Sequence, residues 1–302
     1  MSYVSPKWNN GSDPPLSAEN LQALTDAVQE QGEALETMCN PNLLDNWYFG
    51  KPVNQKGQTS YGPKPNGGYT IDRWMSTEEV SVNSAGFVTS KTLVQRIESA
   101  ELLSGKILTF SALTASGELL TGSKALDIPA DCVFADVGGR VMQYSAYWKG
   151  FQIYRDAAAL DLLAVKLELG SQQTLAHQEN GKWVLNEIPK FGDQLAECQR
   201  YLIPINNWTR VRASYYSGTA LFFAVPIPST MRTTPAILDP SGALAVQSVS
   251  GTEQTGFTFE CNASTPGSIS VRAMKDSHGL TDGQLVKRGG GSFQAVFFSS
   301  EL

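Results

Sequence analysis

The chain has 302 residues, of which 41% are hydrophobic and 17% charged, and it carries a formal net charge of −6. This composition is typical of a globular protein with a sizeable core, and the length suggests two domains. Duplex nucleic acid is excluded as an expected partner because no Lys/Arg-rich run is present, and membrane insertion because no run of about 18 apolar residues occurs.

The first predicted element is a helix that follows an extended, proline-containing arm over residues 1–15. Ser17 is a suitable N-cap, and Pro41 ends the helix. Apolar residues then recur at alternating three- and four-residue steps, the spacing of a coiled-coil seam. We assign residues 1–41 to attachment and oligomerisation. A single amphipathic helix docked on its own domain would show nearly the same stripe. The predicted oligomerisation residues are Leu21, Leu24, Val28, Leu35 and Met38.

Residues 42–201 are predicted to form an antiparallel β-sandwich closed by a short helix. Apolar and polar residues alternate in short segments that Gly, Asn, Ser and Pro separate, and this spacing is typical of sandwiches. A helical pattern follows at 192–201, with Leu195 and either Cys198 or Gln199 on a common face. The predicted strands are 86–97, 106–113, 131–137, 149–155 and 161–169.

Residues 202–302 are predicted to form a second β region, either a domain or a tip. In 255–261 and 267–274, apolar residues alternate with polar ones, so one face of each strand should be buried. No Pro/Ser/Gly-rich linker separates this region from the sandwich, so an independent domain and an extension of the sandwich both remain open. Further strands are predicted within 210–217, 219–227 and 292–299.

Five segments together resemble tail-fibre and baseplate-associated receptor-binding proteins of tailed phages and prophages. They are WNNGSDPPLSAENLQAL (8–24), NLLDNWYFGKPVNQKG (42–57), YTIDRW (69–74), QLAECQRY (194–201) and VPIPSTMRTTPAI (225–237). The resemblance implies a jelly-roll sandwich of the kind found in carbohydrate-binding modules. It also implies a homotrimer located in the virion tail after synthesis in the host cytoplasm, with other tail or baseplate proteins as partners.

The motifs of common enzyme classes are missing. The sequence contains no HExxH, GxxxxGK[ST], GxGxxG or GxSxG motif. No motif therefore supports a zinc protease, a nucleotide- or dinucleotide-binding protein or a serine hydrolase. The four cysteines lie far apart without a CxxC pair, which argues against a zinc site. We therefore expect no enzyme activity, no cofactor and no metal. A pair of carboxylates with glycosidase geometry cannot be recognised from a sequence with 29 acidic residues.

Aromatic side chains are the candidate ligand contacts, because they stack on sugar rings while polar neighbours bind the hydroxyl groups. The resemblance assigns Trp47 and Trp74 to the scaffold instead. The segment YSAYWKGFQIY (144–154) carries aromatic residues of both parities, so a strand there would expose some of them. The candidate ligand-binding residues are Tyr144, Tyr147, Trp148, Tyr154, Trp208, Tyr215, Tyr216 and His278.

The functional expectation is non-catalytic binding of bacterial surface glycan, repeated over several copies of the chain. A purely structural baseplate or fibre connector is the first alternative, and its exposed aromatic residues would be buried against another tail protein. A glycan-cleaving depolymerase is the second alternative.

Overall fold

The computed structural model describes residues 21–28, 40–155, 158–205, 211–239, 242–248, 250–261, 265–287 and 296–301. In these ranges the chain is mainly β and its sheets are antiparallel, which confirms the class predicted from the alternation. Two separate hydrophobic cores are present, one within residues 44–176 and one within residues 203–298. Residues 21–28 are helical and are called α1.

The first core lies in a sandwich-like arrangement of two six-stranded sheets. The first sheet has the order β1 (Ser60–Tyr61), β4 (Val80–Asn83), β5 (Phe87–Ser90), β12 (Leu160–Leu169), β7 (Ile107–Thr114) and β8 (Leu119–Ala125). The second has the order β2 (Gly68–Tyr69), β3 (Met75–Ser76), β6 (Thr92–Gln95), β11 (Gly150–Arg155), β10 (Arg140–Ser145) and β9 (Cys132–Val137).

Aromatic side chains fill this core. Phe110 of β7 meets Phe151 of β11 edge to face at 6.1 Å, so the contact joins the two sheets. Trp74 and Phe49 are fully buried and pack 5.4 Å apart. Burying each such side chain contributes about 1.5–3 kcal/mol. The scaffold role that the resemblance implies for Trp47 and Trp74 agrees with their burial at 6% and 0% exposure.

The predicted strand 86–97 is two strands in different sheets. β5 ends at Ser90 in the first sheet, and β6 begins at Thr92 in the second. The Ser90 hydroxyl donates to the Thr92 carbonyl at 2.8 Å and accepts from the Thr92 amide at 3.2 Å. These bonds satisfy the backbone at the crossover, so the chain can pass from one sheet to the other without leaving buried polar groups unpaired.

A hairpin and a short helix follow the sandwich. The hairpin pairs β13 (Ala176–Glu179) with β14 (Lys182–Leu185), and helix α2 covers Phe191–Gln199. The predicted helix is confirmed, but its buried face carries Gln194 and Cys198, whereas Leu195 is only half-buried. Cys198 is thus buried on the predicted face, and the burial of Gln194 was not predicted.

Two further sheets enclose the second core. The smaller has the order β15 (Leu202–Ile205), β24 (Val296–Ser299) and β18 (Ala236–Leu238). The larger has the order β20 (Glu253–Gln254), β19 (Leu244–Gln247), β23 (Gln284–Lys287), β16 (Val211–Ser217), β17 (Ala220–Val225), β22 (Ile269–Met274) and β21 (Thr258–Cys261). Burial along β22 alternates strictly, as predicted.

Candidate functional site

A cleft of about 560 Å³ opens where three loops of the first sandwich meet. The loops follow β6, connect β8 to β9, and connect β10 to β11. We call this concave site the Tyr147 cleft. Its lining residues are Arg96, Ile97, Ser99, Ala100, Glu101, Ile128, Pro129, Tyr144, Ala146, Tyr147 and Lys149.

Tyr147 is the most exposed aromatic residue in the described part of the chain, at 79%. It lies on the turn between β10 and β11, and Lys149 adopts a left-handed backbone conformation there (φ 51°). The Tyr147 ring stands edge to face on Trp148 at 4.7 Å. Arg96 donates a hydrogen bond from Nε to the Trp148 carbonyl at 2.7 Å. Neighbouring groups therefore hold the turn, and the Tyr147 ring is presented to solvent.

The lower part of the cleft is formed by Tyr144, which is only 3% exposed. Burial raises the pKa of Tyr144, and the charges of Asp131 and Glu101 raise it further. The phenol therefore stays protonated at neutral pH. Tyr144 also packs on Phe151 at 5.4 Å, so the core fixes the position of its ring.

Charged groups lie around the rim of the cleft. Glu101 is exposed on the 3₁₀-helix η1 (Ala100–Leu103), and Lys149 is exposed on the Tyr147 turn. Arg96 contributes a second cation to the lining. The cleft thus offers both donors and acceptors beside an aromatic ring, which is the composition of small-molecule sites generally.

A second, polar cleft of about 420 Å³ lies beside β4 and β5. None of the described residues that line it is aromatic, so they offer no stacking surface for a sugar ring. Its lining residues are Pro63, Glu78, Glu79, Ser81, Thr89, Lys91 and Ala159.

Most of the segments that carry the family resemblance converge on a buried ion cluster around Arg73. The Arg73 side chain is 0% exposed, and its backbone is left-handed (φ 68°). It donates from Nε to Asp45 at 2.8 Å, from Nη1 to Glu301 at 2.8 Å and from Nη2 to the Arg96 carbonyl at 2.7 Å. The guanidinium carbon lies 3.5 Å from the centroid of the Tyr201 ring. We call this group the Arg73 cluster.

The electrostatics of the Arg73 cluster follow from burial and pairing. Burial by itself would lower the pKa of Arg73, but Glu301 and Asp45 outweigh it and the pKa is raised. Burial raises the pKa of Glu301, and Arg73 opposes that shift. Burial likewise raises the pKa of Asp72, which Gln55 opposes by hydrogen bonds from its amide nitrogens.

The cluster joins the two β regions. Gln55 Nε2 donates to Asp72 at 2.6 Å and to the Leu202 carbonyl at 2.8 Å. Tyr201 donates its hydroxyl to Glu98 at 2.6 Å. Because these groups are paired and the Arg73 side chain at their centre is closed to solvent, the Arg73 cluster is suited to hold the scaffold and not to receive a ligand.

The remaining predicted ligand contacts lie in several places. Tyr215 and Tyr216 are 55% and 69% exposed on β16 of the seven-stranded sheet. Tyr154 is half-buried on β11. His278 is only 4% exposed, and it interacts with the Ser217 carbonyl and the Leu280 amide, so its ring presents little surface. Trp208 lies outside the described residues.

The structure therefore brings Tyr144, Tyr147 and Trp148 together and leaves the other candidates elsewhere. Sequence reasoning missed Arg96, Glu101, Ile128 and Lys149 as parts of the same cleft. No local pattern marks these residues, because loops far apart in sequence supply them.

In helix α1, Leu21, Leu24 and Val28 are 48%, 42% and 62% exposed, while Ala27 is buried. Leu35 and Met38 lie outside the described residues. The described part of the stripe therefore faces solvent within one chain.

Cys132 and Cys198 are buried free thiols, and Cys261 is half-buried. Among the described residues, no group of three or more His, Cys, Asp or Glu side chains is placed to hold a metal ion. No helix within the same ranges combines the length and apolar character needed to cross a bilayer.

No protein-family model, no curated protein and no solved structure matches the chain.

Proposed function

We propose that this chain is a tail protein of a phage or prophage whose first sandwich, with jelly-roll connectivity, binds bacterial surface glycan in the Tyr147 cleft. The observation that carries the binding proposal is the 79% exposed Tyr147 ring beside a concave site with charged groups. An exposed tyrosine ring leaves apolar surface in contact with water and contributes little packing to the fold. The same ring can stack on the apolar face of a ligand.

The chemistry of binding needs no catalytic group. The C–H face of a pyranose stacks on Tyr147, and the sugar hydroxyls donate to Glu101 and accept from Lys149 or Arg96. Such a contact is weak when single. Repetition over several chains raises the effective concentration, so many weak contacts hold the particle to a cell.

The tail assignment rests on the sequence resemblance. Three of the resembling segments, 42–57, 69–74 and 194–201, contribute Asp45, Arg73 and Tyr201 to one buried cluster. On this proposal the resembling segments would form the scaffold, and the Tyr147 cleft would determine the ligand.

We also propose that α1 assembles the chain into a homotrimer and attaches it to other tail or baseplate proteins. The support is the exposure of Leu21, Leu24 and Val28. An apolar stripe of this spacing is too short to be stable alone in water, and pairing with copies of itself would bury it.

The connector alternative is favoured by one specific observation on the seven-stranded sheet. Tyr216 stands edge to face on Phe222 at 5.2 Å, and Phe222 is the cross-strand partner of Arg272. Arg272 in turn pairs with Glu260 at 3.3 Å. This exposed aromatic and charged row resembles the composition of protein interfaces.

A depolymerase is the weaker alternative. Among the described residues that line the Tyr147 cleft, Glu101 supplies the one carboxylate, whereas glycoside hydrolysis generally uses two.

The test is binding of the purified chain to bacterial surface polysaccharides displayed at high density. Tyr147→Ala should weaken binding at least tenfold, because losing a stacking contact of about 1.4 kcal/mol or more is a tenfold change per site and avidity multiplies it. Tyr215→Ala is the matched control, since it removes an exposed tyrosine from another sheet. Loss only in the control would move the ligand site away from the cleft, and unchanged binding in both variants would refute both positions. Failure of the unaltered chain to bind any polysaccharide would favour the connector.

A further inference from the structure

The Tyr147 cleft has an apolar wall that a simple hexose does not need. Ile97 and Ile128 are half-buried, pack on the first core, and still line the cleft. Pro129 and Ala146 extend this wall. A hexose carries hydroxyls around its ring and has C–H faces, one of which Tyr147 takes. A hydroxyl placed against the wall would lose its hydrogen bonds to water and gain none.

The wall is fixed in place, so it cannot turn away from a ligand. The Ser104 hydroxyl accepts a hydrogen bond from the Ile128 amide at 3.1 Å and donates one to the Ile128 carbonyl at 3.5 Å. On the opposite strand pair, the Ala146 amide donates to Asp131 at 2.7 Å. A permanent apolar surface of this kind selects a ligand that carries a small apolar group.

Polar groups of both kinds flank the apolar wall. Glu101 is an exposed carboxylate and can accept one hydrogen bond from an N–H group. Lys149, Arg96 and Ser99 are donors that can serve a carbonyl oxygen. A methyl group, an N–H and a C=O within one short substituent would therefore all find partners.

We infer that the Tyr147 cleft selects an N-acetylated amino sugar. The acetamido methyl packs on Ile128 and Pro129, its N–H faces Glu101, and its carbonyl faces Lys149. A sugar with a free amine would keep the contact with Glu101 but lack the methyl and carbonyl contacts. This inference rests on the proposed glycan-binding function and names the ligand class for the same site.

The expected preference follows from the two added contacts. Burying one methyl group strengthens binding about fourfold, and one net hydrogen bond adds a similar factor. An N-acetylated sugar should therefore bind at least tenfold more tightly than the hexose of the same configuration.

Saturation-transfer NMR on the full chain tests this directly. The probes are methyl glycosides of N-acetylglucosamine, N-acetylgalactosamine and N-acetylmannosamine, each paired with glucose, galactose or mannose. In at least one pair the acetamido sugar should bind tenfold more tightly, and its acetyl methyl protons should receive the strongest saturation. Equal affinity within every binding pair, or saturation confined to ring protons, would overturn the inference while leaving glycan binding intact. If no saccharide of the panel receives saturation, the inference and the proposed function at this cleft both fail.

A variant isolates the wall from the stacking ring. Ile128→Thr should reduce the preference for the acetamido sugar over the hexose to less than threefold. Leu102→Ala, an exposed neighbour on η1 that does not line the cleft, is the control and should keep the full preference. A retained tenfold preference in folded Ile128→Thr would refute the role of the wall. The methyl saturation in the unaltered chain decides the question even if this variant does not fold.

Discussion

Removing the Glu301 carboxylate should destabilise the whole chain, although it makes no contact with either cleft. The Glu301 side chain is 8% exposed and pairs with Arg73, which is 0% exposed, at 2.8 Å. In Glu301→Ala, the Arg73 Nη1 group would keep its charge in a buried site without that partner. The variant therefore tests whether the Arg73 cluster carries stability or only fills space.

The size of the expected loss in stability follows from the partners that Arg73 keeps in Glu301→Ala. Removing one partner of a buried ion pair typically costs about 3–5 kcal/mol. Asp45 still holds Nε and the Arg96 carbonyl still holds Nη2, so we expect the lower end, about 3 kcal/mol. With 302 residues and an unfolding entropy of about 2.1 cal/mol/K per residue, this corresponds to a decrease in Tm of about 5 °C. Glu301→Gln keeps a hydrogen bond but not the charge, and should cost about half as much.

The assay is urea unfolding followed by tryptophan fluorescence, with calorimetry for Tm. Trp74 is fully buried and adjacent to Arg73, so its emission reports on this junction. Glu78→Ala is the matched control, because Glu78 is exposed and should change the free energy of unfolding by less than about 0.5 kcal/mol. A Glu301→Ala variant as stable as this control would refute the reasoning.

Three further predictions follow from single contacts. The hydrogen bond to Glu179 at 3.1 Å raises the pKa of His177 above its usual value of about 6.5. The resulting contribution to stability is present below a pH of about 6.5 and is lost as the pH rises through the pKa of His177 in the folded chain. NMR titration should show a lower His177 pKa in Glu179→Gln. An unchanged pKa would contradict the role of Glu179. A Cβ at Gly122 would lie 1.9 Å from a backbone oxygen, so Gly122→Ala should lower the free energy of unfolding by about 1–3 kcal/mol. Gly192→Ala is the control and should not lower it, because the space around Gly192 is open. Equal effects of the two substitutions in urea titration would argue against the close approach at Gly122. Leu24→Glu should convert an oligomer to a monomer in light scattering without changing Tm. If the unaltered chain is already monomeric, the proposal that α1 forms an oligomeric seam is wrong.

Two of the strands predicted from the sequence agree closely with the structure, although both faces of each are largely buried. The predicted segments 106–113 and 161–169 match β7 and β12 closely. In 86–97 the prediction of one strand was wrong, because β5 and β6 are separated by a single residue and belong to different sheets. All four residues of β6 are buried, as are most of those in β7, so burial does not mark the break. The change of sheet after Ser90 therefore has no signature in hydrophobicity.

The candidate site was predictable only where one short segment supplies it. Tyr147 stood out because a segment with aromatic residues of both parities must expose some of them. Glu101 and Ile128 join it through tertiary contacts between loops, which periodicity does not encode. Arg73 and Asp72 were missed as buried groups because charged residues are almost never fully buried unless paired, and their partners lie far away in sequence.

The Arg73 cluster also limits how this chain can exchange parts with related chains. A recombinant that replaced everything after Tyr201 would keep Arg73 and Asp45 but receive a foreign residue in place of Glu301. Unless that residue were also acidic and equally placed, Arg73 would keep Asp45 but lose one of its two carboxylate partners. Viable crossovers should therefore either carry the partners of Arg73 together or fall within the exposed loops of the Tyr147 cleft, where sequence can change without disturbing the junction.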